Sequence, residues 1–536
     1  GCSGRQTVGC MQKPCIFPLA RGDKLDHWHH RLSSDLKLDS DAVQRFEVTY
    51  YDSFDWRLYV AGKSLQCLRG PHGAETMLVD LSDQSVAATL AMDLAEARFA
   101  SSLPDSALRT RLEPLLEMRA LLPLVTLKVV RYCLRQGDAE GKTRARLYLE
   151  SFSRVDGAGR RRLLQKRLRL QPLRGYQKAA DGLRRALEHR HELEATEDQL
   201  FAQALTAAGK QAGDYTSGLA IDLLPGMRAD AAIRRVLSQL FAIMKANEAG
   251  VIADLDSEFL HDFRVAVRRT RSALGELKRV FPPATLQRFR REFAWLGSLT
   301  GSVRDLDVYL LKFDTYKSAI PAGLREDLEP LRAFLRYKQH AEHTRQLAPQ
   351  LQGSRYRKLK QQWQRFLDAP LAKRPTARDA AKPVGLVAHH RTWRVYKRVL
   401  KEGNAITPDS PHAELHELRK SCKKLRYLME FFQSLYPSKG IRAAIKELKQ
   451  LQDNLGDFQD ADVQIAALKG FAMEMRRRGE YTAATGKAID ALLAVLESRL
   501  QQVRAEFESR FELFASDTNR ARFKRLFHPR EEADAA

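Results

Sequence analysis

The sequence predicts two folding units in series: an α+β domain built on an antiparallel β-sheet, then an all-α helical bundle of two pseudo-symmetric repeats. Three observations predict it. From Phe46 to about Leu170 the chain runs in short β-branched and aromatic segments separated by turn signals. From Met227 onward apolar residues recur at helical spacing. Within that helical stretch a histidine-led basic segment occurs twice, 155 positions apart. At 536 residues the chain is long enough for each unit to bury its own core.

Residues 1–44 are polar and irregular, with a His27-Trp28-His29-His30 cluster. No carboxylate or cysteine completes a metal set there at ligand spacing, so a metal role is not assigned. The chain does not begin with Met; residues 1–10 are set aside from the fold reasoning, with Met11 read as an alternative start. Arg5, Lys13 and Arg21 interrupt any signal-peptide core.

The sheet domain is placed at 45–180. Its strand-like runs are Val48–Tyr51, Leu58–Val60, Thr76–Val79, Val125–Val130 and Ala145–Leu149, with turns at Ala61-Gly62-Lys63, Gly70-Pro71, Gln136-Gly137-Asp138 and Asp156-Gly157. The segment from Asp93 to about Leu116 reads as helical, as does Gln177 to Ala208. Residues 181–226 are taken as a helical connector and linker ending in Leu224-Pro225-Gly226.

The helical bundle is placed at 227–515, with repeats at about 227–380 and 381–515 and a tail at 516–536. One motif reads His261-Asp-Phe-Arg264-Val-Ala-Val-Arg268-Arg269-Thr-Arg271, the other His416-Glu-Leu-Arg419-Lys420-Ser-Cys-Lys423-Lys424-Leu-Arg426. Within each, His, Arg, Arg or Lys, and Arg fall at i, i+3, i+7 and i+10, one stripe of a helix. An apolar stripe runs one position earlier: Leu260, Phe263, Val267, Thr270, Leu274, and Leu415, Leu418, Cys422, Leu425, Met429. Further on come Leu299-Thr-Gly301-Ser-Val-Arg304-Asp305-Leu-Asp307-Val308 and Leu455-Gly456-Asp-Phe-Gln459-Asp460-Ala-Asp462-Val463. His261 precedes Gly301 by 40 positions, and His416 precedes Gly456 by 40, so the whole unit is duplicated.

The formal net charge is +24, which points to an anionic partner such as nucleic acid, an anionic membrane or a phosphate polymer. No apolar run reaches the roughly 18 residues of a membrane helix, so no membrane role is assigned. Six cysteines (Cys2, Cys10, Cys15, Cys67, Cys133, Cys422) form no CxxC pair, which argues against a zinc site or a disulfide framework and fits a reducing cytoplasm. If the two halves pack about a dyad, both cation rows meet at one cleft. Arginine forks match phosphate oxygens, and lysine adds point charge. Base readout needs Asn or Gln beside the arginines, and single-strand binding needs interleaved aromatics. The basic stripes carry neither, with Tyr427 the one nearby aromatic. The candidate phosphate-binding set is His261, Arg264, Arg268, Arg269, Arg271, Arg291, His416, Arg419, Lys420, Lys423, Lys424, Arg426 and Lys446. The histidines stay open between donors to phosphate and core residues satisfied by a helix carbonyl. Arg355–Lys360 and Trp393–Arg398 are basic too, with much of their charge read as solvated face. Asp305, Asp307, Asp460 and Asp462 are read as partners of the cation rows or helix caps, not as catalysts.

The two histidine-led helices and the Leu299–Val308 landmark resemble the CHAD domain, named for conserved histidines and α-helical character, over about 227–515. That resemblance implies a basic central channel that binds inorganic polyphosphate, no catalytic activity, and residence on polyphosphate granules. Residues 46–180 are similar to a CYTH domain, the triphosphate-tunnel fold, through Tyr50-Tyr51-Asp52-Ser-Phe-Asp55-Trp-Arg57-Leu58, Gly62-Lys-Ser-Leu65 and Leu173-Arg174-Gly175-Tyr176-Gln-Lys178. The family's Glu-x-Glu-x-Lys strand has no counterpart upstream of Tyr50, and Leu65-Gln66-Cys67-Leu68-Arg69 stands where it has Leu-Arg-x-Arg. The metal-binding glutamates that would help neutralise a triphosphate are missing, which implies an inactive, degenerate CYTH-like domain.

The expectation is therefore a non-catalytic, cytoplasmic polyphosphate-binding protein localised to polyphosphate granules, without cofactor or metal. Nucleic acid binds only non-specifically, and the N-terminal domain offers a surface to a protein partner. The alternatives are triphosphatase or polyphosphatase activity in the N-terminal domain, or a nucleic-acid-binding module.

Overall fold

The computed structural model describes residues 13–138 and 140–528. It divides between Thr216 and Ser217 into two compact units, each with its own core.

The first unit is α+β. Its strands are β1 (Cys15–Leu19), β2 (Asp39–Ser40), β3 (Gln44–Asp52), β4 (Lys63–Gly70), β5 (Gly73–Asp80), β6 (Val86–Leu90), β7 (Leu122–Gly137), β8 (Thr143–Val155) and β9 (Arg161–Pro172). They form one antiparallel sheet in the order β1-β9-β8-β7-β3-β4-β5-β6, with β2 pairing β7. The helices are α1 (Leu25–Leu36), α2 (Arg57–Val60), α3 (Ala107–Leu116), α4 (Gln177–Arg190) and α5 (Leu200–Ala207). The hairpin turns carry the predicted chemistry. Gly70 pairs with Gly73 across Pro71-His72, and Gly73 has φ +122°, a conformation open to glycine. At the β8–β9 turn the Asp156 carboxylate accepts from the N–H groups of Ala158 and Arg160. Leu183 and Leu187 of α4 and Leu32 of α1 bury against Leu147, Leu149, Leu168 and Leu170, which face one side of β8 and β9 at period two. Leu200, Ala204 and Leu205 of α5 cover Val48, Leu127, Val129 and Phe152.

Four expectations are corrected here. Residues 13–44 are not irregular: Phe17 is fully buried on β1, and α1 closes the leucine core. The proposed Met11 start and residues 1–10 lie outside the described residues. Leu58–Val60 is helical, because the Asp52 carboxylate accepts from Ser53, Leu58 and Tyr59 N–H at 2.7, 2.9 and 2.9 Å and closes the chain into a turn. Residues 93–106 form only two short 3-10 turns, and α3 starts at its Ser106 cap, whose hydroxyl accepts from Arg109 N–H. Finally, α4 and α5 are separate helices, and both belong to the sheet unit. Burying their apolar faces on the sheet makes residues 181–208 part of that unit and not a connector, while the boundary at 216/217 falls within the 209–226 stretch where the sequence places it.

The second unit is helical: α6 (Ala229–Ile252), α7 (Ser257–Glu276), α8 (Pro283–Leu299), α9 (Gly301–Leu311), α10 (Phe313–Ala319), α11 (Glu329–Glu342), α12 (Ala348–Gln352), α13 (Ser354–Asp368), α14 (Val384–Ala405), α15 (His412–Phe431), α16 (Ser438–Arg477), α17 (Ala483–Phe514) and α18 (Asp517–Phe527). The repeats match element by element at their starts, α6–α7 against α14–α15. They then diverge. The first breaks between α8 and α9, whereas α16 runs unbroken for 40 residues. One core joins the halves, with Tyr309, Phe313, Phe334 and Leu335 from the first packed against Leu468, Met475, Ile489 and Leu492 from the second. Residues 516–528 are not a loose tail. Helix α18 buries Phe523 and Phe527, and Phe523 stacks on Tyr396 of α14 with ring centroids 4.2 Å apart. Residues 529–536 lie outside the described residues. Among the described residues no helix is long and apolar enough to cross a membrane.

Candidate functional site

The repeated motif sits on α7 and α15. Asp256 caps α7, its carboxylate accepting from Glu258 and Phe259 N–H at 2.9 and 3.2 Å. Both predicted apolar stripes are buried: Leu260, Phe263, Val267, Thr270 and Leu274 on α7, and Leu415, Leu418, Cys422, Leu425 and Met429 on α15. Burial of those stripes fixes each helix's rotation, and the cation rows lie beside them.

The two helices touch through the cations themselves. Arg268 Nε donates to the Tyr427 hydroxyl at 2.6 Å, and Arg269 Nη2 donates to Glu430 at 2.7 Å. Lys424 lies 3.5 Å from Glu276. Beside this crossing opens a cleft of about 700 Å³ between α7, α8 and α15. Its lining includes seven cations, Arg268, Arg271, Arg290, Arg291, Lys420, Lys423 and Lys424, and one carboxylate, Glu276. Tyr427, Gln287, Ser272, Gly275 and Ala294 complete it. Gly297 on α8 leaves room for Arg271, whose Nη1 would stand 2.7 Å from a Cβ there.

Charge is concentrated at the cleft floor. Burial, then the Arg268 and Arg419 guanidiniums, pull the Lys423 ammonium down to about 7, with Asp460 opposing. Burial also lowers Arg264 and Arg419. Arg264 Nη1 donates to the Gly297 carbonyl and the Thr300 hydroxyl, both at 3.0 Å, so it also satisfies the C-terminal end of α8. Arg419 lies 3.8 Å from Asp460, and Lys312 lies 3.3 Å from the same carboxylate.

Six predicted residues thus line the cleft: Arg268, Arg271, Arg291, Lys420, Lys423 and Lys424. Seven do not. Arg264 and Arg419 lie behind it; Arg269 and Arg426 are both paired to Glu430. Lys446 is exposed on α16. His261 and His416 form clasps to their own repeat's second landmark. His261 Nδ1 lies 3.0 Å from Arg304 Nη2, and His416 Nε2 lies 3.2 Å from Asp462. The other Asp462 oxygen lies 2.9 Å from His412 Nδ1. Burial pushes His416 below its ordinary value. Each histidine thus stands beside a charged side chain of its own repeat, Arg304 for His261 and Asp462 for His416. The two partners are not equivalent positions of the repeat: Arg304 stands 43 positions after His261, and Asp462 stands 46 after His416.

The acidic landmarks support the cations. Asp460 and Asp462 face Arg419 and the histidines, and Asp305 is raised by burial while facing Arg264. Asp307 accepts from Gln339 Nε2 at 3.1 Å and is pushed up to about 7 by burial. Glu258, His261 and Asp262 bring donor atoms within 4.8 Å of one another, but Arg304 already stands 3.7 Å from Glu258 and 3.0 Å from His261 and supplies the positive charge there. Of the outlying basic segments, Arg355–Lys360 is engaged elsewhere, with Arg355 2.9 Å from Glu292 and Lys360 2.5 Å from Glu248, whereas Arg398 of the other lies 4.0 Å from Glu276 of the cleft. Sequence reasoning missed Arg290, Gln287 and Arg304. Arg290 was visible in the run Arg288-Phe-Arg290-Arg291, but only packing tells which of its cations faces α15.

Residues 235–469 match the family model of the CHAD domain. Among solved structures, a CHAD domain from the plant Ricinus communis is 27% identical, covers 58% of this chain and 97% of its own, and superposes with a TM-score of 0.44. PptA from Streptomyces chartreusis is 15% identical over 53% of this chain and 100% of its own, with a TM-score of 0.41. A candidate adenylate cyclase from Bacillus halodurans is 13% identical over 36% of this chain and 96% of its own, with a TM-score of 0.27. None of the curated proteins matches the chain.

Proposed function

From a chain that carries a CHAD domain over residues 235–469, we propose a non-catalytic protein that binds inorganic polyphosphate in the cleft between α7, α8 and α15. The observation that carries this reading is the lining of that cleft, seven cations against one carboxylate. Such an excess at close quarters repels itself, Arg268 and Arg419 adding to burial in lowering Lys423, and a polyanion relieves that repulsion. Both cation types are suited to phosphate: Arg268, Arg271, Arg290 and Arg291 offer forks, while Lys420, Lys423 and Lys424 offer mobile point charges. Base recognition is poorly served, since Gln287 is the one amide lining the cleft and Tyr427 the one aromatic, already holding Arg268. Nucleic acid is accordingly a weak, sequence-independent competitor.

On this reading the sheet unit is a degenerate CYTH-like scaffold without triphosphatase activity, and polyphosphate binding draws the protein to polyphosphate granules in the cytoplasm. Equilibrium titration at fixed salt tests the ligand. Long-chain polyphosphate should bind, and duplex DNA or RNA at equal phosphate concentration should fail to displace it. Efficient displacement would make the cleft a general polyanion site. A fluorescent fusion that stays diffuse in granule-bearing cells would sink the localisation.

A further inference from the structure

The sheet unit holds a second cavity, of about 420 Å³, whose chemistry differs from that of the cleft in the helical unit. The antiparallel register builds its charged end. Arg131 on β7 stands opposite Glu150 on β8, and Glu150 stands opposite Arg167 on β9. Arg131 and Arg167 each reach Glu150 at 2.8 Å, and Arg169, two residues further along β9, lies 3.5 Å away. Arg167 also pairs with Asp198 at 2.7 Å. Glu150 is wholly buried, and the Arg167 and Arg169 side chains are 7% and 19% exposed. Three guanidiniums therefore face two carboxylates. A surplus positive charge is left in a nearly dry site, an arrangement that costs free energy until an anion joins it. Arg169 is the least neutralised: its nearest carboxylate is the longest of these pairs, and its other neighbours are neutral, Gln171 at 3.0 Å and the Tyr148 ring with its centroid 4.4 Å away.

The remaining wall is largely apolar, with Val48, Leu68, Met77, Val79, Phe152 and Phe201 facing the same space. Such a wall cannot solvate a string of phosphates, and a surplus of one charge cannot neutralise one. We propose that this cavity binds an organic monoanion with an apolar body, a carboxylate whose head pairs with Arg169 beside Gln171 and whose hydrocarbon part lies against Leu68, Met77 and Val79. An apolar pocket with a few convergent polar groups is the usual form of a small-molecule site. The proposal departs from the triphosphate ligand that the CYTH resemblance implies for this unit.

The test is calorimetric titration of the full chain with decanoate, decan-1-ol and inorganic tripolyphosphate. Decanoate should bind at one site per chain, and decanol at least about tenfold more weakly, since one charge-assisted contact of about 1.4 kcal/mol is worth a factor of ten. Arg169→Gln should weaken decanoate at least tenfold, and Arg169→Lys should recover part of the loss, while both variants keep the wild-type far-UV circular dichroism and thermal unfolding, which report the fold of the sheet unit, and their long-chain polyphosphate affinity stays at the wild-type value. Should Arg169→Gln misfold, decanoate competition against tripolyphosphate on the wild-type chain still decides. Independent binding of the two supports the assignment; mutual displacement overturns it. Equal affinity for decanoate and decanol, or undiminished decanoate affinity in a folded Arg169→Gln protein, also overturns it.

Discussion

Lys423 provides the sharpest test of the cleft, because its ammonium is held at about 7 in the free protein by burial and by Arg268 and Arg419. Polyphosphate lying over it would supply the missing negative charge and return it toward the ordinary lysine value of about 10.4. The sign follows from linkage: the bound state holds more protons than the free state above pH 7, so affinity falls as pH rises through that value. If only the charged form binds, the competent fraction drops from about 0.9 at pH 6 to about 0.01 at pH 9, a loss of about 90-fold. Residual binding by the neutral form would reduce this. Substitution Lys423→Arg keeps a charge at every pH in this window and should flatten the profile, whereas Lys423→Met should hold affinity at the weak, high-pH level throughout. The assay is polyphosphate titration from pH 6 to 9 at constant ionic strength, with internal phosphates fully ionised throughout. A wild-type profile that is flat between pH 6 and 9, or a Lys423→Arg profile that keeps the wild-type slope, would refute the placement of Lys423 under the ligand.

The other predictions concern the rows, the core and the sheet unit. Replacing Arg264, Arg268, Arg419 and Lys423 together by Ala should abolish most polyphosphate affinity while the helical circular dichroism persists; unchanged affinity would place the site elsewhere. The single change Arg271→Ala should reduce the slope of log affinity against log salt by about one unit, the signature of one lost phosphate contact, read from titrations at four salt concentrations. Leu425, fully buried on α15, should cost about 2–5 kcal/mol when cut to Ala, measured by urea unfolding. With Mg²⁺ or Mn²⁺ present, the protein should release no phosphate from tripolyphosphate over many equivalents; sustained turnover would restore the enzymatic reading.

Much of the molecule was legible in the sequence because the relevant signals are local and periodic. The apolar stripes of α7 and α15 were read residue by residue, since period 3.6 leaves little freedom in which face is buried. The duplication was legible as well, because two copies at matched spacing test each other. The failures came where one long-range or unusual local bond outweighed propensity. Asp52 bends Leu58–Val60 into a turn, and α1, α4 and α5 become part of the sheet unit only by docking on strands far away in the chain.

For the site the division is of the same kind. By itself the sequence determined that each repeat holds a stripe of cations beside a buried stripe, because both follow from the period of one helix. Tertiary structure alone decided which of those cations share a cleft. Arg268 and Lys423 meet at the helix crossing, Arg290 and Arg291 arrive from α8, and Arg264, Arg269 and Arg426 are taken up by Gly297, Thr300 and Glu430. The histidines that mark the motif line no part of that cleft; they clasp Arg304 and Asp462. A helix period fixes the direction of a side chain relative to its own axis, whereas the partner it meets depends on where other helices cross, and no local pattern encodes that.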